Sequence, residues 1–408
     1  MASLLIHNAA QIATSIGRYR RGAEMNQLRL LRNASIYVQD GIIRAIGSAS
    51  DVEKAISDSP EVIDASGSAV IAGLVDSHTH LVFAGTREQE FAMRVAGATY
   101  QDIAKQGGGI LSTVKATRNA TKEELKCVAK RYLALALEHG TTTMEIKTGY
   151  GLDEETELKL LDVIAELDAE QPITLAPTFL GAHAVPPERS KAEYLESLFA
   201  LLPRAAQKAR FIDAFVEENY FSAEEAEALC ERAKRFGLLP RLHVHQFTAN
   251  AGVKMGLRVG AASLDHLEKI SDEDIGLLAR SETVATLLPC VSLFLGYGYP
   301  PARKLIDSGA IVAIASNFNP GSAMTLNMQL TMFVASAQMR LSLAESLTAA
   351  TLNAAYSLRL SDKIGSIEVG KEADLVILDV PSYEQAIYFF GVNHAKTVIK
   401  KGVVEWTR

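Results

Sequence analysis

Two histidines separated by one residue, His78 and His80, close the apolar run Val70-Ile-Ala-Gly-Leu-Val-Asp-Ser. On a buried strand, side chains alternate between faces, so residues i and i+2 point the same way about 7 Å apart. Two neutral imidazoles converging on one point are the start of a transition-metal donor set, and a strand terminus leaves room for ligands from neighbouring strands. A His-x-His pair also arises by chance, and its context must then decide. Here Asp76 and the following Leu81-Val-Phe-Ala-Gly-Thr-Arg87 make a strand-to-loop passage, where a rigid scaffold presents functional side chains.

The elements that must position these groups lie in the middle of the chain. After the His-x-His strand come apolar runs at Thr141–Ile146, Ile173–Leu180, Phe211–Val216, Pro240–Val244, Ala262–Leu264, Thr283–Leu288 and Ile311–Ala315, eight in all. Between them the apolar period is helical, as in Lys122–His139 and Asp153–Asp168. Ser222-Ala-Glu-Glu225 reads as a capping-box start and Gly237 as a stop. Eight strands alternating with helices predict an α/β protein, a (β/α)8 TIM-like barrel over residues 70–364; an open parallel sheet of six to eight strands is the competing architecture.

Barrel chemistry sits at the carboxyl ends of the strands. Those ends carry His78 and His80; Glu145, Lys147 and Tyr150; His183; Glu217 and Glu218; His243 and His245; Asp265 and His266; Asn317 and Asn319. Six of the nine histidines fall there. Any one of them alone reads as a satisfied rim residue, whereas their joint placement predicts a shared site.

Strand-like segments also occupy both chain ends: Ser3–Ile6, Ala34–Gln39, Ile42–Ile46 and Glu61–Asp64, then Leu375–Asp379 and Lys396–Trp406. Asp40-Gly41 is a hairpin turn signal. The expectation is one small β-sandwich domain assembled from residues 1–69 and 365–408.

Composition narrows the classes. With 48% hydrophobic and 22% charged residues, the 408-residue chain is an ordinary globular protein rather than a disordered or fibrous one. A net charge of −7 without basic clusters excludes a nucleic-acid binder. Cys127, Cys230 and Cys290 are too far apart for a Cys-x-x-Cys pair and read as free thiols, Cys127 and Cys230 as core residues of helices. No leader-like start and no membrane-length apolar run is present, so the expectation is a cytoplasmic protein with no membrane partner. A homodimer is expected from what is common among soluble enzymes.

Taken together, the Asp-Ser-His-Thr-His80 strand, the single histidine on strand five, His266 on strand six and the polar motif on strand eight resemble the amidohydrolase superfamily of metal-dependent hydrolases. Longer stretches are similar to its imidazolonepropionase family: Val82–Phe91, Ala96-Gly-Ala-Thr-Tyr100, Gly107-Gly-Gly-Ile-Leu-Ser-Thr-Val114, Glu145-Ile-Lys-Thr-Gly-Tyr-Gly-Leu152, Gly181-Ala-His-Ala-Val-Pro186, Phe318-Asn-Pro-Gly-Ser322 and Ala349–Tyr356. The resemblance runs from about residue 30 to the C-terminus. It implies hydrolysis of the cyclic amide of 4-imidazolone-5-propanoate to N-formimidoyl-L-glutamate, a step of histidine degradation. It also implies one metal ion, Zn or Fe, on His78, His80, His243 and Asn317, and substrate contacts from Arg87, Tyr150, His183, Gln246, Asn319, Gly321 and Ser322. The family's potential bases fall at Gln246 and Asn317, and His266 is the further proton-handling candidate that residue chemistry adds.

Residue chemistry agrees with these types. A propionate needs a cation, and Arg87 can offer a bidentate fork; a loop arginine paired with Glu88 or Glu90 is the plainer reading. An imidazole is the side chain that exchanges protons near neutral pH, which suits His266 to orient a nucleophile or take its proton, and His183 can steady an oxyanion or touch the ring.

Two departures stand out. Asn317 occupies the position where the family has a metal-binding Asp, and an amide oxygen is uncharged and cannot act as a base. Strand five reads His243-Val-His245-Gln246 where the family more often has His-x-Asp followed by Glu or Gln; His245 is then either a substitute ligand or a residue that hydrogen-bonds behind the ligands. Another deaminase or cyclic amidase of the superfamily, or a catalytically inactive relative that binds a small acid, are the alternatives.

Overall fold

The computed structural model describes residues 3–98 and 108–408; Thr99, Tyr100 and Gly107 of the motifs quoted above lie outside the described residues. In chain order the amino-terminal strands are β1 (Ser3–Thr14), β2 (Arg29–Gln39), β3 (Ile42–Gly47), β4 (Glu61–Asp64) and β5 (Ala69–Ala72). The barrel strands are β6 (Leu74–Asp76), β7 (Thr141–Lys147), β8 (Thr174–Ala182), β9 (Phe211–Val216), β10 (Leu239–Val244), β11 (Ser263–His266), β12 (Val284–Leu287) and β13 (Ile311–Ile314). Three more follow: β14 (Leu375–Leu378), β15 (Ala395–Lys400) and β16 (Val403–Thr407).

All eight predicted barrel strands form and pair in parallel in sequence order from β6 to β13. Closure comes past the strand ends: Thr79 bridges Phe318 in parallel, Asn317 N–H donates to the His78 carbonyl at 3.0 Å, and His80 N–H to the Phe318 carbonyl at 2.9 Å. The ring is thus stitched shut by the residues that carry the site. Helices cover it as their periodicity requires; that of Lys122–Glu138 buries Leu125, Ala129, Leu133 and Ala136. Ser222 caps Ala223–Lys234 with its reciprocal Glu225 contact. Cys230 is buried as expected, but Cys127 is exposed, because it lies off the Leu125–Ala129–Leu133 stripe that faces the barrel.

The run Val70–His80 is not one strand. Ala69–Ala72 pairs with β1 and β14 in the other sheet, while Leu74–Asp76 begins the barrel. Gly73 is the crossing point: a Cβ there would stand 2.2 Å from Thr142 Oγ1, so only glycine lets the chain pass between the two sheets.

Both chain ends build one mixed sheet, ordered β16-β15-β14-β5-β1-β2-β3 with β4 beside β1. Its first two strands are longer than expected, and β1 bends at Asn8, whose φ is 61°, where its register against β2 shifts. The bend lets the sheet roll over a core of Leu4, Ile6, Ile36, Val38, Leu375 and Ile399. Ala373 N–H to the Gly41 carbonyl at 2.8 Å and Gly370 N–H to the Ile43 carbonyl at 2.9 Å tie its far edge back, so the sandwich is a single sheet folded onto itself. Among the described residues no helix is long and apolar enough to cross a membrane.

Candidate metal centre and active site

Strand ends from across the barrel bring three histidines together. His78, His80 and His243 offer ring nitrogens that all lie within 4.8 Å of one another, and all three are buried. His78 and His80 lie just past β6, held in extended form because Thr79 is pinned from both sides: its hydroxyl donates to the Glu145 carbonyl at 2.6 Å and its own carbonyl accepts Lys147 N–H at 2.9 Å. Each of two rings is oriented from behind by a carboxylate. His78 Nδ1 donates to Asp265 Oδ2 at 2.7 Å, and His243 Nδ1 to Asp213 Oδ2 at 2.9 Å. With the proton held on Nδ1, the Nε2 lone pair faces inward.

Burial in the first place, and then the neighbouring cation Lys147 and the other imidazoles, push the pKa values of His78 and His80 well below their ordinary value; burial and Lys147 do the same for His243. Neutral rings are the form that binds metal. The inward atoms also lack protein partners: His78 Nε2 and Asn317 Oδ1 are buried without a hydrogen bond, and His243 Nε2 faces His80 Nε2 at 3.4 Å. Unpartnered buried acceptor atoms beside a cluster of neutral imidazoles fit a cation.

Charge beneath the triad points the same way. Lys147 Nζ lies 2.7 Å from Glu145, 2.9 Å from Asp213 and 3.8 Å from Asp265, all fully buried. Burial works against the ammonium, but those three carboxylates hold its pKa above the ordinary range. Arg241 joins them at 3.5 Å from Asp265 and donates to the Ser77 and Ser357 carbonyls at 2.6 and 2.8 Å. Three carboxylates against two cations leave a negative excess directly behind the histidines, which a metal cation offsets. Asp76, pushed up to about 7 by burial, accepts from Ser316 N–H and Oγ–H and so fixes β6 to the end of β13.

Above the triad opens a cavity of about 340 Å³. Its wall includes every substrate contact and proton-handling position expected from the sequence: Arg87, Tyr150, His183, Gln246, His266, Asn317, Asn319, Gly321 and Ser322. Their local partners differ in what they leave free. His183 Nδ1 donates to the Gly149 carbonyl at 2.9 Å, and burial lowers its pKa to about 4, so a neutral ring presents an Nε2 acceptor. Burial raises the Tyr150 phenol, which stays a donor. His266 Nδ1 lies 3.3 Å from Glu268 Oε1, leaving Nε2 as the ring's other nitrogen. Gln246 gives one N–H to Tyr297 at 3.0 Å.

Asn319, by contrast, is committed to its own loop. It accepts Gly321 and Ser322 N–H at 2.8 and 2.9 Å and donates to the Asn317 carbonyl at 2.6 Å. Arg87 donates Nε–H and Nη2–H to Glu90 at 2.9 and 2.7 Å. His245 is not brought to the metal set. With φ at 56° it turns out of the strand and donates from Nε2 to the Asn250 carbonyl at 2.8 Å, touching neither ligand. His266, Leu267 and Asn317 also adopt positive φ, at 83°, 69° and 55°. Left-handed non-glycine residues cluster where strand ends must aim side chains, as strain does at functional sites.

Sequence reasoning assigned no role to Asp213, Glu268 or Arg94. Asp213 sits mid-strand in an apolar run, which signals a buried partner; Glu268 follows His266 by two; Arg94 lies two helical turns after Arg87.

The Amidohydrolase family model matches residues 69–404. An imidazolonepropionase of Geobacillus sp. (strain WCH70) is 43% identical over 415 residues, covering 99% of this chain and 98% of that protein. One from Bacillus cereus (strain AH187) is 43% identical over 417 residues, at 100% and 98% coverage. Among solved structures, an adenosine deaminase from Xanthomonas campestris with bound zinc superposes with a TM-score of 0.76 at 20% identity, covering 100% of this chain and 93% of that one. E. coli guanine deaminase gives 0.74 at 16% identity, with both chains covered completely. These two share the fold. Barrel, end sheet, histidine triad and full-length likeness agree, and the chain belongs to the imidazolonepropionase family of the amidohydrolases.

Proposed function

We propose that this protein hydrolyses the ring amide of 4-imidazolone-5-propanoate to N-formimidoyl-L-glutamate. One observation carries the reading: a single cavity is lined by His80, His243 and Asn317 together with Arg87, Arg94 and Tyr150, matching a small ring that bears a carboxylate. His78, His80 and His243, with the Asn317 amide oxygen, would hold one zinc or iron ion, for which imidazole donors are equally suited. When bound, that ion supplies Lewis acidity toward the ring carbonyl and lowers the pKa of water.

The chain's own groups do the rest. Water oxygen adds to the ring carbonyl carbon, the C–N bond breaks, and the proton lost by water ends on the departing ring nitrogen. Of the three proton-handling positions, Gln246 and Asn317 are amides and carry no proton between atoms. His266 takes that task, its Nδ1 facing Glu268 and its other nitrogen left for the reacting water. His183 accepts a ring N–H at Nε2, which favours a contact to the ring over stabilisation of an oxyanion. Tyr150 donates from its phenol, and Ser322, held by Asn319, completes the rim.

Loss of the imidazolone absorbance, followed with metal-loaded and chelated protein side by side, tests this. Turnover only in the metal-loaded sample, abolished in His266→Ala, is expected. The amides at 246 and 317 favour one second reading, a relative that binds a small acid without turnover; binding with no turnover at saturating metal would select it. Turnover of a pyrimidine or hydantoin instead would select a different cyclic-amide chemistry. A cytoplasmic homodimer belongs to the proposal, and light scattering measures its oligomeric part.

A further inference from the structure

Two guanidinium groups stand on the cavity wall, and their surroundings differ. Arg87 precedes the helix Glu88–Val95 and Arg94 lies near its end, seven residues on and therefore two turns along the same face. Arg87 is closed into a two-point pair with Glu90, which makes that corner of the wall nearly neutral. Glu90 is fully committed, because its other oxygen accepts Gly109 N–H at 2.9 Å. It is also the one carboxylate lining the cavity among the described residues.

Arg94 has no carboxylate within ion-pair distance among the described residues. Its Nη2 reaches the Gly321 carbonyl only at 3.4 Å, its Nη1 is buried without a partner, and its guanidinium lies 5.4 Å from the centre of the Phe294 ring. A buried cationic N–H left unpaired is costly, and a planar two-oxygen anion is the partner whose shape matches it.

We propose that Arg94 is the residue that selects a carboxylate-bearing substrate, with the Arg87–Glu90 pair acting as a neutral wall that positions it. The inference rests on the hydrolase reading above and names the group that gives that site its acid preference. Burial, and Arg87 beside it, already work against the Arg94 charge; an arriving carboxylate relieves both.

Titration calorimetry on the full zinc-loaded chain tests it with two probes, 3-(imidazol-4-yl)propanoate and the neutral 4-propylimidazole. The parent is expected to bind the acid about 10- to 100-fold more tightly than the neutral probe. Arg94→Gln should erase that preference while leaving the neutral probe's affinity unchanged, and Arg94→Lys should keep part of it. An Arg94→Gln protein that retains the preference, or that loses both probes equally, overturns the proposal, as does loss of the preference in Arg87→Gln alone. A parent with no preference for the acid removes the carboxylate-substrate reading itself, which separates the two failures.

Discussion

Asp265 and His78, 187 positions apart in the chain, meet at 2.7 Å with both side chains fully buried. The carboxylate holds the imidazole proton on the outer nitrogen and leaves the inner one bare. Asp265 also faces Arg241 and Lys147, so one residue serves both the metal centre and the charge cluster beneath it. In Asp265→Asn the amide N–H2 must face either the histidine or those cations. Metal affinity should weaken about 10- to 100-fold, read by competition against a chromophoric chelator. An unchanged Kd would mean that the ring is oriented by packing alone.

Asn317→Asp should act with opposite sign on two forms of the protein. Without metal it places a carboxylate where Oδ1 now has no hydrogen-bond partner, and the melting temperature should fall. With metal bound, the same carboxylate is a charged ligand, so the melting temperature and kcat at saturating metal should both rise above the parent. No gain in kcat would show that position 317 does not limit the reaction.

Lys147→Met keeps most of the side-chain volume and removes the ammonium from among Glu145, Asp213 and Asp265. Buried carboxylates left without their cation should cost about 3–5 kcal/mol. A fall in the denaturant midpoint at constant m measures it. Parent-like stability would show that Arg241 alone compensates the cluster.

The pH dependence has a defined sign. His78, His80 and His243 are held well below their ordinary 6.5, chiefly by burial, and His183 is lowered to about 4. As pH falls below 6.5 the unfolded chain takes up protons that the folded rings refuse. The histidines' contribution to the stability of the metal-free protein is therefore full above that pH and declines below it, down to the folded-state values, while Asp76, pushed up to about 7 in the fold, contributes with the opposite sign. Denaturant titrations between about pH 8 and pH 5 read the slope. Stability that rises over that range would contradict neutral rings in the fold.

Gly321→Ala bears on the wall of the cavity. A Cβ there would lie 2.1 Å from Arg87 Nη1, so Arg87 must move and strain its pair with Glu90. KM for the imidazolone acid should rise several-fold, with little change in metal affinity, because three of the four ligands sit on other strands and only Asn317 shares this loop. Equal loss of metal would show that the loop supports the floor as well.

Much of this was legible in the residues themselves. The eight strands emerged because burial on both faces of a parallel barrel demands short apolar runs, and helical period between them fixes which strands are neighbours. His78, His80, His243 and His266 stood out because chemistry-bearing side chains fall where such runs end. Local spacing could not say where a side chain turns after its strand: His245 follows the last residue of β10, two positions after His243, yet a single positive φ carries it to Asn250. Nor could it divide Val70–His80 between two sheets, since the reason is Thr142 pressing on Gly73 from a distant strand.

Charge compensation was the deepest gap. From sequence, Arg87 was open between a fork for a propionate and a pair with Glu88 or Glu90, and Asp213 had no assigned role; in the fold Glu90 is the partner, while Asp213 and Asp265 back the ligands. Residue type and spacing determined the barrel, its histidines and its family, because periodicity and motif are local properties of the chain. Which charges are cancelled and which remain to meet a ligand was decided only by tertiary structure, because that balance depends on distances between residues that the chain order keeps far apart.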